Sequence, residues 1–161
     1  MSAVHIRPGR VAEDKAVMIG FIDGLQAFEH AFEPDRRIDP KAGADFLPVL
    51  LERVEKQDGR IFIAEDDGGA PIGWAVFHTL EHLNYIVPEE RLYGYVAELF
   101  VVEAARGQGV GRALIAACED VARQMKLKSL MIGVLAKNAR ARKTYEAAGF
   151  APYALELRKY L

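Results

Sequence analysis

Apolar and polar positions along this chain fall into two alternating rhythms. Val11 to about His30 repeats its apolar residues at helical spacing, with Val17, Phe21, Leu25 and Phe28 near one face. A second helix is predicted over about Lys41 to Gln57, carrying Phe46, Leu47, Leu50, Leu51 and Val54, with Pro40 in its first turn and Asp58-Gly59 as its stop. Ala3 to Arg7, Arg60 to Asp66, Pro71 to Leu80, Val96 to Val102 and Ser129 to Val134 read as strands. Asp67-Gly68-Gly69 supplies a hairpin turn between the second and third of these, and Glu81 to Tyr93 is a polar linker. Val110, Ala113, Leu114, Ala117, Val121 and Met125 mark a third helix, and Asn138 to Ala148 a fourth, with Gly149 at its end. Pro152 to Tyr160 alternates again and is predicted as a final strand. The expected order is β-α-α-β-β-β-α-β-α-β.

At the centre lies Tyr95 to Met125, a strand, then Arg106-Gly107-Gln108-Gly109-Val110-Gly111, then a helix. Glycines at every second position admit positive φ and keep Cβ atoms out of a ligand's way. The helix that follows begins with N–H groups lacking intrahelical partners, and its dipole adds positive potential. With Arg106 and Arg112 alongside, the loop is suited to a phosphate or pyrophosphate. The sequence excludes two other uses. A nucleotide P-loop needs Lys-Ser/Thr where Arg112-Ala113 stands. A dinucleotide fingerprint needs G-x-G-x-x-G and a ribose-binding acid, and Ser129 to Val134 holds no carboxylate.

The order of features resembles the GNAT superfamily of N-acetyltransferases. Val101-x4-Arg106-Gly107-x-Gly109-x-Gly111 is similar to its acetyl-CoA-binding motif, and Asn138-x2-Ala141-x3-Tyr145-x3-Gly149-Phe150 to its second signature. The resemblance spans about Val96 to Phe150. It implies a single α/β (α+β) domain over residues 1–161, with a mixed, mostly antiparallel sheet flanked by helices. It implies acetyl transfer from acetyl-CoA to a small-molecule or protein amine, by direct attack in a ternary complex and with no metal. Pyrophosphate would then rest on Gly107, Gln108, Gly109, Val110, Gly111 and Arg112, beside Arg106. The pantetheine arm would meet the backbone of Leu99, Phe100 and Val101 at a strand bulge, and also Asn138 and Ala141. Tyr145 would protonate the departing thiolate. Glu103 stands where many members have proline. A homodimer agrees with the family pattern, and so does a non-catalytic acetyl-CoA sensor.

Glu98 is the most informative side chain outside the loop. A regular strand puts Val96, Glu98, Phe100 and Val102 on one face and Tyr95, Ala97, Leu99 and Val101 on the other. Both faces are mostly apolar, so the carboxylate must be ion-paired (Arg91 and Arg142 are candidates), face a cleft, or hold its proton. A raised pKa suits a base acting on an ammonium substrate. Tyr145 reads equally as an aromatic core residue and Asn138 as a helix N-cap. The acids Glu29, Glu33, Asp35, Glu81, Glu89 and Glu90 would favour a cationic acceptor, or they form a solvated surface.

Composition narrows the class. The chain has 161 residues, 51% hydrophobic and 27% charged, with a net charge of −2. That is a soluble globular profile with no electrostatic footprint for nucleic acid or an anionic membrane. The single cysteine, Cys118, forms no internal disulfide and fits a cytoplasmic setting. His78-Thr79-Leu80-Glu81-His82 matches a zinc pattern that needs a helix. Placed at a strand end, its histidines would be roughly 13 Å apart, too far to share one ion.

Overall fold

The computed structural model describes residues 4–161; Ala3, the first residue of the expected N-terminal strand, lies outside them. Five strands form one sheet in the order β1-β2-β3-β4-β5. They are β1 (His5–Pro8), β2 (Arg60–Glu65), β3 (Pro71–Glu81), β4 (Leu92–Val101) and β5 (Leu130–Ile132). The first three pairings are antiparallel and only β4–β5 is parallel. The helices are α1 (Val11–His30), α2 (Ala42–Lys56), the single turn α3 (Pro88–Arg91), α4 (Val110–Gln124) and α5 (Ala139–Ala147).

The run Gly73–Thr79 is buried throughout because β3 is covered on both faces. Trp74 and Val76 pack under Met18, Phe21 and Ile22 of α1 and Leu47 and Leu50 of α2. Ala75 and Phe77, one residue out of phase, pack under Val110, Leu114, Cys118 and Ala122 of α4. Strand periodicity thus sorts one continuous apolar segment between two cores.

The β4 faces depart from the simple alternation. In the ladder, Val76 opposes Glu98 while the next residue, Phe77, opposes Val96, so Ala97 is the extra residue of a bulge. The phase changes there. Val96 packs on the α4 side, whereas Glu98 and Phe100, opposite Val76 and Trp74, face the α1–α2 side. Tyr95, opposite His78, shares that face instead of opposing it. Leu99 and Val101 pack on the α4 side.

Two further differences concern elements. The linker after β3 is shorter than expected, because Pro88 starts α3 and β4 begins at Leu92. The final strand is absent: residues 151–161 form no ladder and are exposed throughout. Their alternation is real, but a strand needs a neighbour to supply its hydrogen bonds, and this segment pairs with none of the five strands.

Candidate active site

β4 has a long partner on one side and a short one on the other. It pairs with β3 from Leu92 to Val101, but with β5 only at Gly94, Tyr95 and Val96. From Ala97 onward the edge facing away from β3 runs free of any strand. A cavity of about 320 Å³ opens along it, lined by Leu99, Phe100 and Val101 from β4 and by Asn138, Ala141 and Tyr145 from the α5 region.

The glycine loop closes one end of this cavity. Gly107 and Gly109 have φ of 81° and 85°, the left-handed region that side chains resist. A Cβ added at either would meet no atom within 4 Å, so the space above both backbones is open. Gly109 is the N-cap of α4 and offers no side-chain cap. The first intrahelical bond is Ala113 N–H to Gly109 O, 3.0 Å, which leaves the N–H groups of Val110, Gly111 and Arg112 without helical acceptors. Gly107, Gly109, Val110, Gly111 and Arg112 all line the cavity. Gln108 does not; its amide turns back to donate to Ala104 O at 2.9 Å.

Arg106 is less free than its sequence position indicates. Its Nε donates to Val101 O at 2.9 Å, and its guanidinium lies over Phe28, 4.6 Å from the ring centroid. It therefore ties the end of β4 to α1 while still lining the cavity. Leu25, Phe28 and Glu29 of α1 line it too; of these only Glu29 was singled out in the sequence, as an acid on the acceptor side. A glycine inside α1 was the available signal. A Cβ on Gly24 would stand 2.6 Å from the Phe100 ring, so this helix closes on β4 only because the residue there is glycine.

Glu98 is 8% exposed, and its Oε2 has no protein hydrogen-bond partner. Neither expected arginine reaches it. Arg91 donates to Ile86 O and Asn84 O, and Arg142 pairs with Glu146. Burial, assisted by the charge of Glu29 and opposed by Arg53, pushes the Glu98 carboxyl up to about 8. It faces the α1–α2 core beneath the cavity wall and is not itself part of the lining. Glu29 does line the cavity, but it is paired with Arg36 at 2.8 Å.

Tyr145 joins the cavity at the α5 side, and burial raises its phenol to about 12. The hydroxyl therefore stays protonated at neutral pH and can donate. Tyr145→Phe is expected to lower turnover about tenfold, a modest share for a single proton donor, with an unchanged melting curve; steady-state kinetics check it. Asn138 is the N-cap of α5, its Oδ1 accepting from Ala141 N–H at 3.1 Å, and its amide group keeps its donors. Cys118 is fully buried and its thiol is raised to about 12, which makes it unreactive. Among the described residues, no group of three His, Cys, Asp or Glu side chains is placed to hold a metal ion. No described helix is long and apolar enough to cross a membrane.

The acids of the first helices are mostly committed. Glu33 is bridged by Lys137 at 3.1 Å and Arg158 at 2.6 Å, and Asp35 by Arg36 at 2.8 Å and by Arg158. They form a neutralised surface.

Known proteins are similar to this chain in sequence or in fold. YwnH of Bacillus subtilis (strain 168), provisionally named a phosphinothricin acetyltransferase, is 32% identical over 120 residues, 70% of this chain and 69% of its own. The acetyltransferase Atu2258 of Agrobacterium fabrum is 36% identical over 96 residues, 60% of this chain and 61% of its own. Among solved structures, glucosamine-6-phosphate N-acetyltransferase from Arabidopsis thaliana superimposes with a TM-score of 0.71 over 98% of both chains, at 14% identity. That last likeness concerns the fold alone. The profile of the Acetyltransferase (GNAT) family matches residues 23–150, a span running from the middle of α1 through the glycine loop to the end of the second signature, and the chain belongs to that family.

Proposed function

We propose that this protein transfers the acetyl group of acetyl-CoA to an amine by direct attack in a ternary complex. The observation that carries the reading is the coincidence of two openings on one cavity: the strand edge freed after Val96 and the uncapped start of α4. A pantetheine chain is long, thin and amide-bearing, and an open strand edge offers it alternating backbone donors and acceptors. A pyrophosphate suits the free N–H groups of Val110, Gly111 and Arg112. Backbone N–H groups of the freed β4 segment would stabilise the oxyanion that develops on the acetyl carbonyl.

Glu98 is the base in this scheme, and it works through water, because its carboxyl lies behind the cavity wall. It takes one proton from the substrate ammonium, the freed nitrogen attacks the acetyl carbonyl, and as the C–S bond breaks Tyr145 gives its proton to the departing sulfur and recovers one from the nitrogen of the new amide. The aromatic Phe28 and Phe100 confine the acceptor side, beside Glu29. Because Glu33 and Asp35 are neutralised, an amine acceptor does not need a second positive charge.

A thermal melt tests the reading first. Acetyl-CoA at 100-fold its dissociation constant should add about 2.7 kcal/mol of stability, while NAD and ATP should add nothing. No shift with acetyl-CoA, in folded protein free of copurified coenzyme A, would overturn the assignment.

A further inference from the structure

Among the described residues, three buried side-chain atoms have no hydrogen-bond partner: Gln57 Oε1, Trp74 Nε1 and Glu98 Oε2. Buried polar groups are nearly always paired, so each calls for a physical reason. Gln57 is the C-cap of α2, and its backbone carbonyl takes the Thr79 N–H and hydroxyl, well along β3 from Trp74. The other two belong together. Trp74 opposes Phe100 in the β3–β4 ladder and Val76 opposes Glu98, so Trp74 and Glu98 are diagonal neighbours on the α1–α2 face. Such neighbours stand about 7–8 Å apart, within reach of aromatic and long side chains.

The two atoms are complementary. An indole N–H only donates, and a carboxyl oxygen accepts. They do not bond to each other directly. Trp74 is fully buried, and the Phe21 ring lies 6.1 Å from it and 5.8 Å from Phe100. The indole is thus held in an aromatic group whose outer member, Phe100, lines the cavity. Of the two Glu98 oxygens, only Oε2 is both sealed from solvent and unpartnered.

We propose that one buried water joins Trp74 Nε1–H to Glu98 Oε2 and makes Trp74 the positioning residue of the base. The water accepts from the indole and donates to the carboxyl oxygen, spanning on the order of 5–6 Å between the two heavy atoms. One molecule then satisfies both groups, the usual reason for a protein to retain a water inside it. The bridge has a chemical sign. A donor to Oε2 favours the carboxylate over the acid, so it holds the Glu98 pKa below what burial alone would impose. It also anchors Oε2 inward and leaves Oε1 to the water that serves the substrate. Around this carboxyl, Glu29 of α1 raises its pKa and Arg53 of α2 lowers it. Burial raises the phenols of Tyr95 on β4 and Tyr145 on α5, and lowers His78 of β3, whose ring stands 5.8 Å from that of Tyr95. Those three are therefore neutral while Glu98 titrates. The inference rests on Glu98 as the base of the proposed transfer, but the bridge itself is observable without acetyl-CoA.

The chain has one tryptophan, so its indole signal in a proton–nitrogen NMR spectrum of the full protein is unambiguous. That indole proton should show cross-relaxation with a long-lived water, and its shift should titrate with a midpoint of about 8 as Glu98 ionises. Glu98→Gln should abolish the titration. Trp74→Phe keeps an aromatic ring and removes the donor. It should raise the Glu98 midpoint by about 0.5–1 pH unit, read from the infrared carboxyl band that Glu98→Gln lacks, and move the pH dependence of kcat/KM by the same amount. A merely structural tryptophan would lower the melting temperature and leave the midpoint in place, and that result in folded Trp74→Phe sinks the proposal. So does an indole proton with no water contact, or one that titrates unchanged in Glu98→Gln; these two spectra decide the matter even if Trp74→Phe does not fold. A bridge found in protein that transfers no acetyl group would overturn the acetyltransferase reading and leave the bridge standing.

Discussion

Glu98→Gln is expected to lower kcat/KM by about 100-fold or more, the range for losing a general base, and to flatten its pH dependence. In the wild type, a carboxyl raised to about 8 is mostly protonated at neutral pH, so kcat/KM should climb through that value and level above it. Glutamine keeps the shape but cannot accept the proton. Steady-state kinetics between pH 6 and 9 decide the matter. A variant as active as the wild type would remove Glu98 from the mechanism and favour an acceptor that arrives already deprotonated.

The same substitution should also stabilise the protein, and the sign can be worked out. Unfolded Glu98 ionises near its ordinary value of 4.5 and folded Glu98 near 8. Between those values the native state holds one more proton than the unfolded state, so stability falls as pH rises. The contribution is intact below 4.5 and lost by the time pH has passed through 8. Glutamine has no such loss, so wild type and variant should melt together in acid and separate as pH rises. The gap should reach a few kcal/mol at pH 9 and at most about 5 kcal/mol, each pH unit between the two pKa values being worth about 1.4 kcal/mol at most. A gain in stability with a loss of turnover is the mark of a group kept for function.

Gly109→Glu is the second large effect. The left-handed φ of 85° costs a side chain about 1–2 kcal/mol, which a domain of this size tolerates. Nothing stands within 4 Å of the new Cβ, so the side chain projects into open space. There its carboxylate can take the free N–H groups at the start of α4, where anions are favoured. The fold should survive while the KM for acetyl-CoA rises about 100-fold, equivalent to roughly 2.7 kcal/mol of lost binding. Gly109→Ala separates the causes, since it brings the strain without the charge; its KM should rise less than about tenfold, below about 1.4 kcal/mol. Equal effects from alanine and glutamate would show that backbone strain, not competition for the anion site, governs binding.

Legibility in the sequence followed the range of the interaction. The glycine loop, α4 and the Asn138 cap are local devices, and their residues announce them. Every strand of the sheet was visible as periodicity, within two residues at each end except that β4 begins four residues before the expected Val96. The bulge was expected only from the family resemblance, because Ala97 is an ordinary strand residue and only pairing with β3 reveals that it is extra. The assignment of Glu98 and Tyr95 to opposite faces failed for that reason, since one inserted residue inverts the phase. Gln108 was placed in the cofactor set through its backbone N–H; its side chain satisfies itself on Ala104 O. The α1 residues Leu25, Phe28 and Glu29 reach the site through a tertiary approach, and Gly24 was its only trace.

The uneven grip on β4 divides the molecule into parts of unequal permanence. The unit from β1 to β4, with α1, α2 and α4, interlocks through two cores. β5 and α5 join it through three residue pairs, the packing of Leu130 and Ile132 on the α4-side core, and the contacts of Lys137 with Phe32 and Glu33. Local opening should therefore begin there, at a free energy well below that of global unfolding. In the proposed reading, the region that loosens first is one wall of the cofactor slot. Cofactor then enters by way of the protein's least stable seam and, once bound, fastens it, so ligand affinity and the rigidity of the C-terminal fifth become linked quantities.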